Sequence, residues 1–233
     1  MRWLWSLRPG MSKESDRGEK TSMKNIYKIQ LIGVGGQGTI KASTIVGEAA
    51  MKKGLNVVMS EVHGMAQRGG TVVTELKIGE AHSPLIEEGA ADLLIAFEPT
   101  EALRSLNKIN CKSFVIVNSA PIVPFTVSLG ISEYPELSSV FDELKAKIKN
   151  LSIIDAQKIA KEAGSIISEN MVLLGAAVAT PEFPVDKDLV IQSMKENLPP
   201  KSIETNLRAF ELGFEEIRKE GIKRIKQGIE NIE

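Results

Sequence analysis

The chain has 233 residues, of which 42% are hydrophobic and 25% are charged, and its formal net charge is -1. This composition is typical of a globular protein, and the length suits one α/β domain with a sizeable core. The near-neutral charge creates no long-range field toward nucleic acid or an anionic membrane, so we expect neither as a partner.

Metal-binding and disulfide-forming residues are scarce. Cys111 is the only cysteine, and His63 and His82 are the only histidines. An iron–sulfur cluster normally needs several thiolates, and zinc sites are usually built from clustered Cys and His, so we expect no metal site in this chain alone. A single cysteine forms no internal disulfide, which is typical of a cytoplasmic protein.

The first part of the chain differs from the rest. Residues 1–24 mix charge with Ser and Gly and show no periodicity, which predicts a disordered extension. The apolar Trp3 and Trp5 are followed almost at once by Arg8, so no signal peptide is expected. Residues 25–233 are predicted to form a single α/β domain.

The predicted elements begin with a strand over residues 26–32. A helix follows over residues 39–53, with its apolar side chains at helical spacing and Lys41 on the opposite face. A second strand over residues 55–60 completes a strand–helix–strand unit that should cross over right-handedly. The alternating residues 71–78 predict a third strand, compatible with an antiparallel position in a mixed sheet.

The middle of the chain predicts further strands and helices. Short apolar runs at residues 93–97 and 114–117 are typical of central parallel strands. The remaining predictions are a strand over residues 151–154 and helices near residues 99–106, 136–149, 169–179 and 187–197. This order predicts a three-layer α/β/α fold with a mixed, mainly parallel sheet and a Rossmann-like start.

The end of the chain predicts one long amphipathic helix, over about residues 202–233. Its apolar residues recur at steps of three and four from Ile203 to Ile217, and Ile residues continue beyond Gly221. Two interpretations remain open. In the first, the apolar seam formed by these residues packs back on the chain's own sheet. In the second, the end beyond Gly221 binds another subunit.

Residues 33–38 (GVGGQG) fit the G-x-G-x-x-G pattern between a strand and a helix. Glycine there permits a tight turn and lets backbone N–H groups approach a phosphate at the positive end of the helix. A Walker motif is excluded because Thr39 and Ile40 stand where Lys and Ser or Thr should be. Nucleotide binding, with Glu61 on a ribose, and a loop that only packs helix against strand both remain open.

Residues 61–70 (EVHGMAQRGG) form a second glycine-rich segment. Both segments follow apolar runs that predict strands, so both should lie at the same edge of the sheet, where open α/β sheets bind ligands. His63, Gln67 and Arg68 could hold an anion or a carbonyl group. A hydrogen-bonded loop histidine and an arginine paired with a partner subunit are the structural alternatives.

These residues carry a family resemblance. Residues 33–38, residues 60–70 (SEVHGMAQRGG), residues 83–86 (SPLI) and the Glu-Pro pair at residues 98–99 resemble the gamma subunit of 2-oxoacid:ferredoxin oxidoreductases, and among these the small subunit of indolepyruvate ferredoxin oxidoreductase. The resemblance covers roughly residue 25 to the end of the chain. The segment at residues 63–70 is the specific part of it.

The resemblance implies a subunit that shares in oxidative decarboxylation. An aryl pyruvate, coenzyme A and oxidised ferredoxin would give an aryl-acetyl-CoA, carbon dioxide and reduced ferredoxin. Thiamine diphosphate and 4Fe–4S clusters would belong to a large partner subunit, which also passes electrons to ferredoxin, and coenzyme A would enter at the subunit interface. The chain would be inactive alone.

Two other functions stay open at this point: a stand-alone NAD(P)-dependent dehydrogenase, and a non-catalytic interaction subunit. The candidate residues fall into two groups. The catalytic candidates are His63, Gln67 and Arg68. The candidates for binding the cofactor or co-substrate are Gly33, Gly35, Gly36, Gln37, Gly38, Thr39 and Glu61.

Overall fold

The computed structural model describes residues 26–64, 70–123, 127, 130 and 133–230, with side chains as far as residue 221. Its strands are β1 (Ile26–Val34), β2 (Val57–His63), β3 (Thr71–Gly79), β4 (Ala91–Ala96), β5 (Ile109–Asn118) and β6 (Asn150–Ile154). Its helices are α1 (Thr39–Lys52), α2 (Pro99–Arg104), α3 (Leu137–Lys147), α4 (Ala156–Ala163), α5 (Glu169–Val178), α6 (Lys187–Asn197) and α7 (Ile203–Glu230).

The six strands form one sheet in the order β2-β3-β1-β4-β5-β6. Parallel pairing joins β1 to β4, β4 to β5 and β5 to β6, whereas β3 is antiparallel to both β1 and β2. The mixed, mainly parallel sheet of the sequence prediction is confirmed. Since β1 and β2 point the same way, they end at the same edge as β4, β5 and β6, which we call the carboxyl edge.

The sheet separates two hydrophobic cores, because successive side chains of a strand point to opposite faces. Ile29 and Leu31 of β1 are buried in the larger core, with residues of α1 and α4 to α7. Ile32 is buried in the smaller core, with residues of α2 and α3. The helix after β1 and the helix after β4 therefore cover opposite faces, which opens a crevice between the carboxyl ends of β1 and β4.

Helices α5 and α7 cross at two glycines. A Cβ atom on Gly175 would overlap the carbonyl of Phe210, and one on Gly213 would overlap the carbonyl of Val172. The two backbones are thus in direct contact, and the apolar residues Ala209, Phe210 and Ile217 of α7 are buried around the crossing. The seam of α7 packs on α4 and α5 rather than directly on the sheet.

Three local predictions differ from the structure. β2 begins at Val57 and continues to His63, so the first three residues of the second glycine-rich segment belong to a strand. The strand predicted at residues 114–117 is longer, since β5 begins at Ile109. Helix α4 was not predicted, because its buried face consists of the alanines Ala156, Ala160 and Ala163. The predicted subunit contact beyond Gly221 falls on side chains outside the described residues.

Among the described helices, none combines the length and the apolar composition that a membrane span requires.

Replacing Gly213 by alanine should lower the free energy of unfolding by about 3 kcal/mol, because the new methyl group must push apart two helix backbones. Chemical denaturation of the purified chain measures the change. Gly221→Ala is the matched control, since Gly221 lies in the same helix with open space around it. That variant should gain up to about 1 kcal/mol from helix propensity. Equal effects of the two substitutions would contradict the close crossing.

Candidate functional site

The two glycine-rich segments meet at the carboxyl edge. The N–H of Gly35 donates to the carbonyl of Gly70 at 2.9 Å. The N–H of Gly64 donates to the carbonyl of Thr71 at 2.8 Å, which closes the base of the loop at residues 64–70. The prediction that both segments lie at one edge of the sheet is confirmed.

Two glycines of the first loop have no room for a side chain. Gly38 has a left-handed backbone, with φ of 78°, and a Cβ atom there would overlap the side-chain amide of Asn170. A Cβ atom on Gly33 would lie 2.8 Å from Cβ of Phe97. Packing against β4 and α5 therefore accounts for these glycines, whereas Gly36, with φ of 104°, faces open space.

Gln37 links the first glycine loop to β4. Its Oε1 accepts from the N–H of Val34 at 2.9 Å, and its Nε2 donates to the carbonyl of Phe97 at 2.7 Å. The residue is only 6% exposed. Phe97 in turn donates its N–H to the carbonyl of Ile32 at 2.8 Å. The side chain of Gln37 thus bridges the crevice between β1 and β4 from inside the loop.

A cleft of about 680 Å³ opens beside this loop. It lies between the start of α1 and the end of β2, and its lining is Gly35, Gly36, Gly38, Thr39, Ile40, Lys41, His63, Gly64 and Val72. The N–H groups in the first turn of a helix have no intrahelical acceptor. In α1 no described side chain caps them either. Such a helix end favours a bound anion.

Side chains of two kinds line this cleft. Lys41 and His63 are the lining residues whose side chains carry nitrogen, whereas Ile40 and Val72 are apolar. The amine of Lys41 also lies 3.4 Å from the carbonyl of Asn197. Lys41 is exposed, as helical periodicity predicts, but its place beside the cleft was not predicted. Its position in the first turn after a G-x-G-x-x-G loop was the available signal.

The structure brings together only some of the sequence candidates. Gly35, Gly36, Gly38, Thr39 and His63 line the cleft. Gly33 and Gln37 lie beneath the loop, with their contacts inside the protein. Glu61 is an exposed strand residue that pairs with Thr74 and is not part of the lining. Gln67 and Arg68 lie outside the described residues.

Two buried carboxyl groups lie in the first turn of α2, on the other side of the crevice. Glu98 is 1% exposed and Glu101 is 5% exposed. The hydroxyl of Thr71, the first residue after the second segment, donates to Oε1 of Glu101 at 3.2 Å. Burial raises the pKa of the Glu101 carboxyl, an effect that Arg104 and the Thr71 hydroxyl partly offset.

The donor set of this chain does not suit a metal cluster. Within the described residues, no group of three or more His, Cys, Asp or Glu is arranged to hold a metal ion. Cys111 is exposed on β5 and has no second cysteine to join it. The site can thus bind and orient an anionic ligand, but its residues do not fit an iron–sulfur cluster.

Taken together, the doubly wound sheet and the cleft define an α/β ligand-binding domain of the kind that binds at the carboxyl edge. The family model of pyruvate ferredoxin/flavodoxin oxidoreductase matches residues 28–216. The chain belongs to this family.

Relatives and solved structures agree with that assignment. An indolepyruvate oxidoreductase subunit from Methanothermobacter thermautotrophicus is 52% identical over 188 residues, which cover 81% of this chain and 96% of the relative. The keto/oxoacid ferredoxin oxidoreductase gamma subunit from Geobacter sulfurreducens is 25% identical, with a TM-score of 0.64 and coverage of 83% of this chain and 97% of that one.

A third comparison shows the same fold within a longer chain. A 2-oxoglutarate:ferredoxin oxidoreductase from Magnetococcus marinus, solved with 2-oxoglutarate, coenzyme A and succinyl-CoA bound, has a TM-score of 0.64 and 20% identity. The match covers 84% of this chain and 32% of that one. In that protein, the fold of this chain occupies about a third of a longer polypeptide.

Replacing Gln37 by alanine should lower the free energy of unfolding by about 1–3 kcal/mol, because the N–H of Val34 loses its buried acceptor. The carbonyl of Phe97 keeps a donor in the amide of Asn118, at 3.3 Å. Denaturant titration of the purified chain gives the value. Gln192→Ala is the control, since Gln192 is exposed on α6 and its loss should cost no more than about 0.5 kcal/mol. A Gln37→Ala variant as stable as this control would show that the bridge is unimportant.

Proposed function

We propose that this chain is the small subunit of an indolepyruvate ferredoxin oxidoreductase, and that its carboxyl-edge cleft forms part of an active site shared with a larger subunit. The observation that carries the proposal is the cleft itself. It combines a free helix N-terminus, Lys41 and His63 with apolar walls, in a chain that belongs to a family of 2-oxoacid oxidoreductases.

The relatives support the choice of substrate. Identity of 52% over nearly the full length of an indolepyruvate oxidoreductase subunit favours an aryl pyruvate as the 2-oxoacid. In the proposed reaction indolepyruvate and coenzyme A yield an acyl-CoA and carbon dioxide, while two oxidised ferredoxins each accept one electron. The larger subunit would form most of the pocket for the aryl group.

Coenzyme A is the ligand that best suits the cleft. Its phosphates match the free N–H groups at the start of α1 and the amine of Lys41, because both favour an anion. Its pantetheine arm matches the apolar walls formed by Ile40 and Val72. The Magnetococcus protein of the same fold was solved with coenzyme A bound, which supports a co-substrate of this chemistry.

The redox groups are assigned to the partner. Thiamine diphosphate supplies the carbanion chemistry of 2-oxoacid decarboxylation, and iron–sulfur clusters carry the electrons. The donor set described above does not fit a cluster in this chain. We therefore place both groups, and the contact with ferredoxin, on the larger subunit of a cytoplasmic complex.

Within this assignment the chain's own residues bind and orient. Gly36, Gly38 and Thr39 would present backbone N–H groups to a phosphate, while Gly35, whose N–H is bonded to Gly70, would line the cleft beside it. His63, with Gln67 and Arg68, would face the reacting end of the ligand as the catalytic candidates. The dehydrogenase alternative requires Glu61 on a ribose, and the exposed position of Glu61 outside the cleft lends it no support.

Co-expression of this chain with its larger subunit should give indolepyruvate- and coenzyme A-dependent reduction of a viologen dye, and the larger subunit alone should not. In the complex, Lys41→Ala should raise KM for coenzyme A about tenfold, since a charge-assisted hydrogen bond contributes about 1.5–3 kcal/mol. Its kcat should change little. Lys158→Ala, which removes an exposed lysine on α4, is the control.

Full activity of the larger subunit alone would refute the shared active site. Binding of NADH by the isolated chain, followed by fluorescence, would instead favour the dehydrogenase.

A further inference from the structure

The first turn of α2 holds two carboxyl groups with different surroundings. In Glu98, Oε2 accepts from the N–H of Thr100 at 2.8 Å, from its hydroxyl at 2.6 Å and from the N–H of Glu101 at 3.0 Å. The other oxygen of Glu98 accepts from the hydroxyl of Tyr134. Glu98 therefore has partners on both oxygens and serves as the N-cap of α2.

Glu101 is only half satisfied. Its Oε1 accepts from the hydroxyl of Thr71 and lies 3.4 Å from Nε of Arg104, whose side chain is 69% exposed. Its Oε2 is buried and has no hydrogen-bond partner among the residues that the structure describes. Burial raises its pKa, so the protonated form is favoured relative to an exposed glutamate. A neutral acid still offers one carbonyl oxygen to the hydroxyl of Thr71.

Thr71 is where the second glycine-rich segment rejoins the sheet. Its carbonyl accepts from the N–H of Gly64, and its neighbour Gly70 accepts from the N–H of Gly35. Its backbone is in register with Val34, the last residue of β1. A side-chain hydrogen bond to Thr71 therefore stabilises three neighbouring contacts. They are the bond from Gly64 to Thr71, the bond from Gly35 to Gly70, and the pairing of Thr71 with the end of β1.

We propose that Glu101 is a positioning residue for the second glycine-rich segment. Through Thr71 it fixes the two described ends of this segment, Gly64 and Gly70, next to the first glycine loop, and so sets the position of His63 relative to the cleft. Glu101 does not itself touch the ligand. The consequence for turnover rests on the function proposed above, whereas the effect on the loop does not.

The shape of Glu101 and the hydroxyl of Thr71 are what matter in this arrangement. Glu101→Gln keeps the length of the side chain and one acceptor oxygen, so it should hold the loop as the wild type does. Thr71→Ser keeps the hydroxyl. Thr71→Val keeps the shape of the side chain but removes the donor, and Glu101→Ala removes the acceptor. The four variants therefore distinguish the loss of the hydrogen bond from the loss of side-chain volume.

Hydrogen exchange of the full-length chain tests the effect on the loop. Thr71→Val and Glu101→Ala should raise the exchange rates of the Gly35 and Gly64 amides about fivefold, which corresponds to the loss of one hydrogen bond. Thr71→Ser and Glu101→Gln should leave these rates within twofold of wild type (roughly 0.4 kcal/mol). Arg104→Ala should also leave the exchange rates of the Gly35 and Gly64 amides within twofold of wild type, because it removes the ion pair but keeps the hydrogen bond between Glu101 and Thr71.

Two exchange results would overturn the proposal. Unchanged exchange in Thr71→Val would show that the bond does not fix the loop. If Arg104→Ala raised the exchange rates as much as Thr71→Val does, the effect would come from the ion pair between Arg104 and Glu101 instead. If Glu101→Ala fails to fold, Thr71→Val still decides the question, because that substitution preserves volume.

Kinetics of the assembled complex test the link to the site. Thr71→Val should lower kcat/KM for coenzyme A about fivefold, because both the cleft and the catalytic candidate His63 are displaced, and Thr71→Ser should restore the wild-type value. Faster exchange with unchanged kinetics would overturn the role of the loop in binding. A wild-type complex that oxidises no 2-oxoacid would refute the proposed function, and the exchange result would still decide the positioning role.

Discussion

The bridge formed by Gln37 is the interaction on which the carboxyl edge depends. One side-chain amide satisfies a buried donor on β1 and a buried acceptor after β4, so it ties together two strands whose helices leave in opposite directions. Without that tie the N–H of Val34 would lose its buried acceptor, and the carbonyl of Phe97 would keep only the longer bond from Asn118 at 3.3 Å. The glycine loop is therefore held from below, and its upper surface stays free for a ligand.

The same segment of chain fixes the second loop. Gln37 contacts Phe97, just after β4, and Thr71 contacts Glu101, in the first turn of α2, so both loops are anchored to residues 97–101. Glu98, between these two anchor points, is held in turn by Tyr134. The cleft thus forms between two loops that contact the same segment of chain. This shared contact fixes the position of one loop relative to the other, although they follow different strands. Precise binding of an anion requires such a constant geometry.

Local sequence patterns predict much of this architecture. The G-x-G-x-x-G pattern and the apolar runs before it predicted β1, α1 and the shared edge, because those signals depend on neighbouring residues. The contacts made over long separations were not predictable in this way. Gln37 was assigned to the ligand because nothing local indicates Phe97. The exposed position of Lys41 followed correctly from periodicity, but its place beside the cleft did not, because that place depends on strands distant in sequence. Helix α4 was missed because a buried face of alanines has little hydrophobic contrast.

The crossing of α5 and α7 places α5 between the C-terminal helix and the glycine loop. Because the two helices meet backbone to backbone at Gly175 and Gly213, no side-chain layer separates them at the crossing. The amide of Asn170, at the N-terminal end of α5, lies against Gly38 in the glycine loop, and α7 extends seventeen residues beyond Gly213, about 25 Å. A chain of direct contacts therefore connects the C-terminal helix, through α5, to the loop beside the cleft.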